Sequence, residues 1–329
     1  MAILPQNAIM FTHNDLDGIG GGILFKAALG SQAEVHYCGY HNVDEKINQR
    51  LDELEISGDL PFIVIADLGI KPETATRLDR YEGEKRWLDH HKTNIELAAN
   101  YDWATIDVEA SGTLLVFDEF ENVPRKYRDF AIHVDDYDRW IHSLPKSKDL
   151  NRLYFILGID RFEFRFLKNE KVDFDNNELL LLELEEETIE RYTNKVERGL
   201  TVYELAGDKR LGIGFAERYQ SEVAHNLLDA MDLDAIALID VNYRKISFRS
   251  KADFDIGSIA KRLGGGGHKN AAGAEFNYGR IDDFHGNKYP LIGVFQNFQS
   301  MVFELYWKVK RTFEAIETEE IEKLFKGVK

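Results

Sequence analysis

The stretch THNDLDGIGGG at residues 12–22 sets His13, Asp15 and Asp17 at alternate positions in front of a run of glycines. Before it, Ala8-Ile9-Met10-Phe11 has the unbroken apolar character of a short buried strand, and Ile19 to Leu29 carries small and apolar residues at helical spacing. A strand therefore hands over to a helix at the motif. In an open α/β sheet that handover lies at the carboxyl edge, where ligands bind.

Outward from this point the chain alternates. Ile9–Thr12, Glu34–Tyr40, Phe62–Asp67 and Lys85–Asp89 read as strands, with helical segments such as Val43–Leu54 and Pro72–Tyr81 between them. That βαβ pattern predicts a mainly parallel sheet. A leucine- and glutamate-rich run without proline, from Asn176 to about Ala206, predicts a helix joining two domains. Beyond it, Ala235–Tyr243 and Lys245–Lys251 read as neighbouring strands and Ile256–Leu263 as a helix ending at Gly264, which implies a second, smaller α/β domain. The expected division is residues 1–175, a helical linker over 176–206, and 207–329, the last including an amphipathic helical pattern at 297–326.

Length and composition agree with two globular units: 329 residues, 44% of them hydrophobic, are ample for two cores. The single cysteine, Cys38, excludes an internal disulfide framework. The start MAILPQNAIMF lacks a basic n-region, and no apolar run approaches the roughly 18–20 residues of a membrane span. The expected location is the cytoplasm. A formal net charge of −17 argues against wrapping long nucleic acid, because such binding depends on many cationic contacts to phosphates.

Acidic and histidine residues recur where elements end: His13, Asp15 and Asp17; Asp67 after FIVIA; Asp89, His90 and His91 after KRWL; and Asp135, Asp136 and Asp138 in HVDDYDRW. Any one such aspartate could simply cap the following helix. Together they point to a metal edge, since crowded carboxylates repel and raise one another's pKa unless cations neutralise them. Mixed aspartate and imidazole donors without cysteine suit manganese, ahead of magnesium, iron or cobalt. The glycines do not spell a dinucleotide loop: counting GxGxxG from Gly18 or Gly20 puts Ile23 or Phe25 at the third position. Gly18, Gly20, Gly21 and Gly22 instead allow a helix start to pack tightly beneath the site.

HNDLDG, Asp67, the LDHH triplet and RLGGGGHKNAAG together resemble the landmarks of the DHH phosphoesterase family with its C-terminal DHHA1 domain, in the order and spacing of the nano-RNase (oligoribonuclease) branch. The resemblance runs over roughly residues 8–276. It implies a two-domain fold of a DHH and a DHHA1 domain and two divalent metal ions, manganese first and magnesium or cobalt as substitutes. His13, Asp15 and Asp67 would hold one ion; Asp17, Asp67, His90 and an aspartate of HVDDYDRW would hold the other, with Asp136 preferred over Asp135 and Asp138. Asp67 would bridge the ions, Asp89 would steady a metal-binding imidazole, and His91 would touch the scissile phosphate or pack.

In the second domain, GGGGHKN is no Walker loop, because His268 precedes the lysine and Asn270 stands in the Ser/Thr position. By the resemblance, Gly265, Gly266, Gly267 and His268 would approach a phosphate or base, with Arg249 and Ser250 of SFRSK beside them. From Arg244 to Lys269 there are seven cationic residues and two acids, a local excess of positive charge in an acidic chain. The implied activity is hydrolysis of short oligonucleotides to nucleoside monophosphates. The alternatives are a phosphoesterase for linear or cyclic dinucleotides or 3′,5′-bisphosphates, and a non-catalytic nucleic-acid-binding module. The expected partners are short RNA, DNA or dinucleotides and a second copy in a homodimer, with no membrane and no long duplex.

Overall fold

The computed structural model describes residues 3–5, 7–205, 208–275 and 310–311. The amphipathic pattern expected over 297–326 lies almost wholly outside these described residues. The chain divides into two compact units, Met1–Glu183 and Leu184–Lys329.

The first unit runs β1 (Ala8–His13), α1 (Leu16–Leu29), β2 (Ala33–Cys38), α2 (Val43–Ser57), β3 (Phe62–Ala66), α3 (Pro72–Asp79), β4 (Lys85–Asp89), α4 (Ile95–Ala98), β5 (Ala104–Ile106), α5 (Gly112–Glu119), α6 (Arg128–Asp138) and α7 (Ser147–Lys168). Its five strands are all parallel, in the order β2-β1-β3-β4-β5. Strand residues alternate between two cores. Ala8, Met10, Phe62, Val64 and Ala66 face a cluster built with α1, α5, α6 and α7. Ile9, Phe11, Ile63 and Ile65 face another that includes Val43, Ile47 and Leu51 of α2 and Ala75 and Leu78 of α3. Burial on both faces is why these strands read as continuous apolar runs instead of alternating ones.

The chain leaves β1 in one direction for β2 and then returns past β1 to β3, so the topological switch point falls between β1 and β3. The register puts the chemistry there. Thr12 pairs with Ala66, and Ala66 with Leu88, so His13, Asp67 and Asp89 lie at one level of the carboxyl edge.

The second unit begins within α8 (Asn176–Gly199), which spans the border. It continues through β6 (Thr201–Glu204), β7 (Arg210–Phe215), α9 (Gln220–Ala230), β8 (Ala235–Asp240), β9 (Lys245–Ser250), α10 (Ile256–Arg262), β10 (Gly266–Gly267) and β11 (Ala271–Glu275). The expected linker helix thus stops at Gly199 and Thr201 already starts a strand. The sheet is mixed, in the order β10-β11-β9-β8-β7-β6, with β7 and β8 its parallel pair and β8 antiparallel to β9. Among the described residues, no helix is long and apolar enough to cross a membrane.

The glycines of α1 have a packing function. A Cβ on Gly20 would overlap Thr113 Oγ1, and one on Gly22 would come within 2.5 Å of the Tyr37 hydroxyl. Residues Leu16 to Phe25 are buried, so this helix can meet β1, β2 and α5 only if it is nearly bare on those faces. Gly20→Ala should therefore lower stability by about 1–3 kcal/mol, the usual result of overpacking. Thermal melting of the variant tests this, and an unchanged midpoint would refute the packing role.

Candidate metal centre

The sharp turn after β1 carries the first two ligand candidates. Asp15 is the N-cap of α1, its Oδ1 accepting from the Gly18 N–H at 3.1 Å, while its Oδ2 lies 2.7 Å from His13 Nδ1. One oxygen thus serves the cap, and the other is turned toward His13. Tyr154 of α7 holds the turn from below by donating its hydroxyl to the Asn14 carbonyl.

Asp17, in the first turn of α1, is buried and bound to the start of a different helix. It accepts from the N–H of Gly112 at 2.6 Å and of Thr113 at 2.8 Å, the first two residues of α5. A helix N-terminus suits a carboxylate because its amides are unpaired and its dipole is positive. Ser111 caps the same helix, and its own N–H is held by Asp135 Oδ1 at 2.7 Å.

Asp67 follows β3 in the left-handed region, φ 52°, rare for a residue with a Cβ and costing of order 1–3 kcal/mol. Its two oxygens face different groups: Oδ2 is 3.9 Å from His13 Nδ1, and Oδ1 is 3.2 Å from His90 Nε2. Gly112 is required here, since a Cβ on it would stand 2.5 Å from Asp67 Cβ and 3.0 Å from Asp17 Oδ2. His90 Nε2 is also 3.7 Å from Asp17 Oδ2 and 3.5 Å from Asp138 Oδ2.

The aspartates of α6 divide their tasks, and the expected ligand Asp136 is not brought to the cluster. Its carboxylate accepts from Ser143 N–H and Oγ and from Leu144 N–H, pinning the loop after the helix. Asp138 stands at His90 in its place. The helical stripe Ala131, Val134 and Asp138 carries the signal: Ala131 and Val134 are fully buried, and Asp138 extends their face by one turn. Asp89 also differs from expectation. Buried, it binds His91 Nδ1 at 2.7 Å and accepts from Asn94 at 2.6 Å, so it orients His91, not the ligand candidate His90.

Tyr40, which carries no motif, closes one side. Its ring lies 4.6 Å from that of His13, and its hydroxyl is 3.1 Å from His91 Nε2. Burial and then the charges of Asp67 and Asp15 push the phenol up, so it keeps its proton.

The electrostatics fit a site built for cations. Burial first, and then Asp17 and Asp15, raise Asp67 well above the ordinary carboxylate range. Burial and the charges of Asp17 and Asp15 push Asp138 up to about 9, and burial likewise raises Asp17 despite the opposing His90. Burial lowers His90, leaving it a neutral imidazole. Burial would also raise Asp15, but the hydrogen bond and charge of His13 outweigh it. Asp67 Oδ2 and Asp138 Oδ2 are buried without a hydrogen-bond partner, the condition a cation relieves. Three groups among the described residues can each converge on an ion: His13, Asp15 and Asp67; Asp17, His90 and Asp138; and Asp67 with Asp89, His90 and His91.

In the second unit, Gly267, His268 and Lys269 are exposed at the turn between β10 and β11. Gly267 has φ 140°, and a Cβ on Gly265 would overlap the Gly273 carbonyl, so this turn is tied to glycine. Gly266 pairs with Gly273 in the sheet. Arg249 donates to Ser221 Oγ at 2.7 Å and to the Phe248 carbonyl. The Ser250 hydroxyl is engaged inside the fold, donating to the Phe254 carbonyl and accepting from Asn270.

Comparison with known proteins now has a geometry to rest on. Residues 214–285 match the DHHA1 domain family. The chain is 32% identical over 287 residues to oligoribonuclease NrnB of Bacillus subtilis, covering 80% of this chain and 71% of that one. It is 22% identical over 330 residues to a 3′,5′-cyclic-nucleotide phosphodiesterase of Helicobacter pylori, covering 83% and 92% of the two chains. Among solved structures it is similar to exonuclease RecJ bound to manganese, with a TM-score of 0.52, 16% identity, and coverage of 95% of this chain and 90% of that one.

Asp138 and Asp136 should behave oppositely in the metal-free protein. An acid raised by folding keeps a proton that the unfolded chain releases, so Asp138 costs stability increasingly as pH climbs from about 4 to about 9. Asp136, held down to about 2 by Ser143 and Leu144 against the effect of burial, adds stability that is lost only in acid. At pH 8 in chelator, Asp138→Asn should raise the thermal midpoint and Asp136→Asn should lower it. The reverse order would overturn the division of tasks.

Proposed function

The chain belongs to the DHH phosphoesterase family and is a DHH-type phosphodiesterase, and from that premise we propose that it is a metal-dependent exonuclease that hydrolyses RNA or DNA of a few nucleotides to nucleoside monophosphates. The observation that carries this reading is Asp67, whose two oxygens face His13 on one side and His90 on the other. Asp67 would be shared by two ions, one that His13 and Asp15 would help hold and one that Asp17, His90 and Asp138 would help hold. Manganese is the preferred occupant, as in the manganese-bound RecJ to which the fold is similar, and it suits mixed carboxylate and imidazole donors. When bound, such a pair lowers the pKa of water and stabilises negative charge on a phosphoryl group.

The chain's own residues set the geometry. Asp17 is fixed by the amides of α5, so its outer lone pairs point into the site without side-chain freedom. Asp89 and Asn94 lock the His91 ring; burial alone would lower this imidazole, but Asp89 raises it, favouring a proton on Nε2 that His91 could turn from the Tyr40 hydroxyl to a phosphate oxygen. Tyr40 shields His13 and His91 from water on one flank. Within the second unit, the exposed Gly267-His268-Lys269 turn offers positive charge that suits a phosphate group.

Short substrates follow from charge. A chain at −17 repels each phosphate that extends beyond a small site, so added nucleotides contribute little affinity. The named activity of the Bacillus subtilis relative supports this, and the name of the Helicobacter pylori relative supports a second reading, hydrolysis of the phosphodiester of a 3′,5′-cyclic nucleotide. A cytoplasmic location suits either substrate.

Purified protein with manganese chloride, assayed on labelled RNA of two to twenty-four nucleotides and on a 3′,5′-cyclic nucleotide, separates the readings. The trimer should be cut faster than the 24-mer, and the slope of log affinity against log salt, roughly 0.7 per phosphate contact, should not grow with length. A slope that steepens with length, with faster cutting of the 24-mer, would establish a long-strand exonuclease instead. Asp67→Ala should abolish nearly all turnover and reduce bound metal, and full activity in that variant would end the two-metal reading.

A further inference from the structure

Two of the tryptophans in the first unit, Trp87 and Trp103, are buried, whereas Trp140 is 54% exposed. It lies two residues beyond Asp138, so its Cα is within about 7 Å of the Asp138 Cα. We propose that Trp140, backed by His142, is a stacking platform for the nucleobase next to the scissile phosphate. The proposal rests on the oligonucleotide reading above and adds to it a base-binding subsite.

The loop that carries Trp140 is built to hold that position. Trp140 and His142 both adopt left-handed backbone, φ 59° and 52°, a conformation bulky residues rarely take. Surrounding bonds impose it. The N–H groups of Ile141 and His142 both donate to the Asp136 carbonyl, at 3.0 and 3.2 Å, while the Asp136 carboxylate accepts from Ser143 and Leu144. Trp140 N–H donates to the Tyr137 carbonyl at 3.0 Å. One buried aspartate thus ties the four residues that follow the indole, Ile141 to Leu144, back to α6.

Side chains complete the support. The His142 ring stands T-shaped against the indole at 4.2 Å, and the Tyr137 ring lies 5.5 Å from His142, itself steadied by Asn151 at 2.7 Å from its hydroxyl. A large flat ring kept in water by a strained, over-determined loop next to a metal-ligand candidate fits a planar aromatic ligand. Every nucleobase has such a face, and stacking of this kind is tolerant of base identity. The site therefore takes purines and pyrimidines alike.

The test compares kcat/KM for a dinucleotide with that for an abasic dinucleotide bearing the same phosphodiester, in manganese chloride. Trp140→Ala should reduce the preference for the base-bearing substrate by about tenfold, mostly through KM, with Trp140→Phe keeping most of it. In parallel, adenosine 5′-monophosphate should quench indole fluorescence in the wild type and not in Trp140→Ala. An unchanged preference with unchanged quenching would overturn the platform, as would an equal loss on both substrates in Trp140→Phe. Wild-type protein that leaves the dinucleotide intact but is quenched by the monophosphate would instead overturn the oligonucleotide reading and leave the platform standing.

Discussion

Aspartate carboxylates converge on the imidazoles of His13 and His90 at the end of one parallel sheet, and the first unit is organised around tolerating them. Burying like charges this close is costly, and the protein answers by turning backbone amides and histidines toward them. Asp17 takes two N–H groups from the start of α5. For those groups to arrive, α5 must come against α1, and this is why Gly20 faces Thr113 and Gly112 faces Asp67 and Asp17. The glycines that first resemble a phosphate loop are spacers for an electrostatic contact.

The same constraint explains what the sequence made legible. The β1–α1 handover, the parallel sheet and the edge bearing Asp67, Asp89, His90 and His91 could be read because apolar strands and polar strand ends differ sharply in type. Register then aligns them without further information, through Thr12 opposite Ala66 and Ala66 opposite Leu88. The assignment within HVDDYDRW was harder. Asp135, Asp136 and Asp138 are chemically identical, and their roles depend on how α6 is rotated about its axis. That rotation is set by Phe130, Ala131 and Val134 in the core, which turns Asp138 toward His90. The sequence favours Asp136, yet a following loop folds back onto it, and loop closure leaves little trace in local pattern.

Tyr40 and Trp140 were not legible for a related reason. Neither belongs to a periodic stripe, and each gains meaning only from distant partners: His13 and His91 for Tyr40, the pinned loop and His142 for Trp140. In the second unit the glycine turn was visible by composition, whereas the engagement of the Ser250 hydroxyl with Phe254 and Asn270 required the register of β9 against β11.

Folding and cation binding are therefore linked through the same side chains. In the metal-free chain, Asp67 and Asp138 are protonated at pH values where exposed carboxylates are ionised, so a binding cation must displace protons as well as fill space. Affinity then rises with pH while the stability of the empty site falls. Cations bound under the two-ion proposal would reverse the second effect by mass action, since they would bind the folded arrangement and not the unfolded chain. Crowded carboxylates of this kind would make a two-ion centre depend on its ions, and Asp67, which faces His13 and His90 from a strained backbone position, is where that dependence would reside.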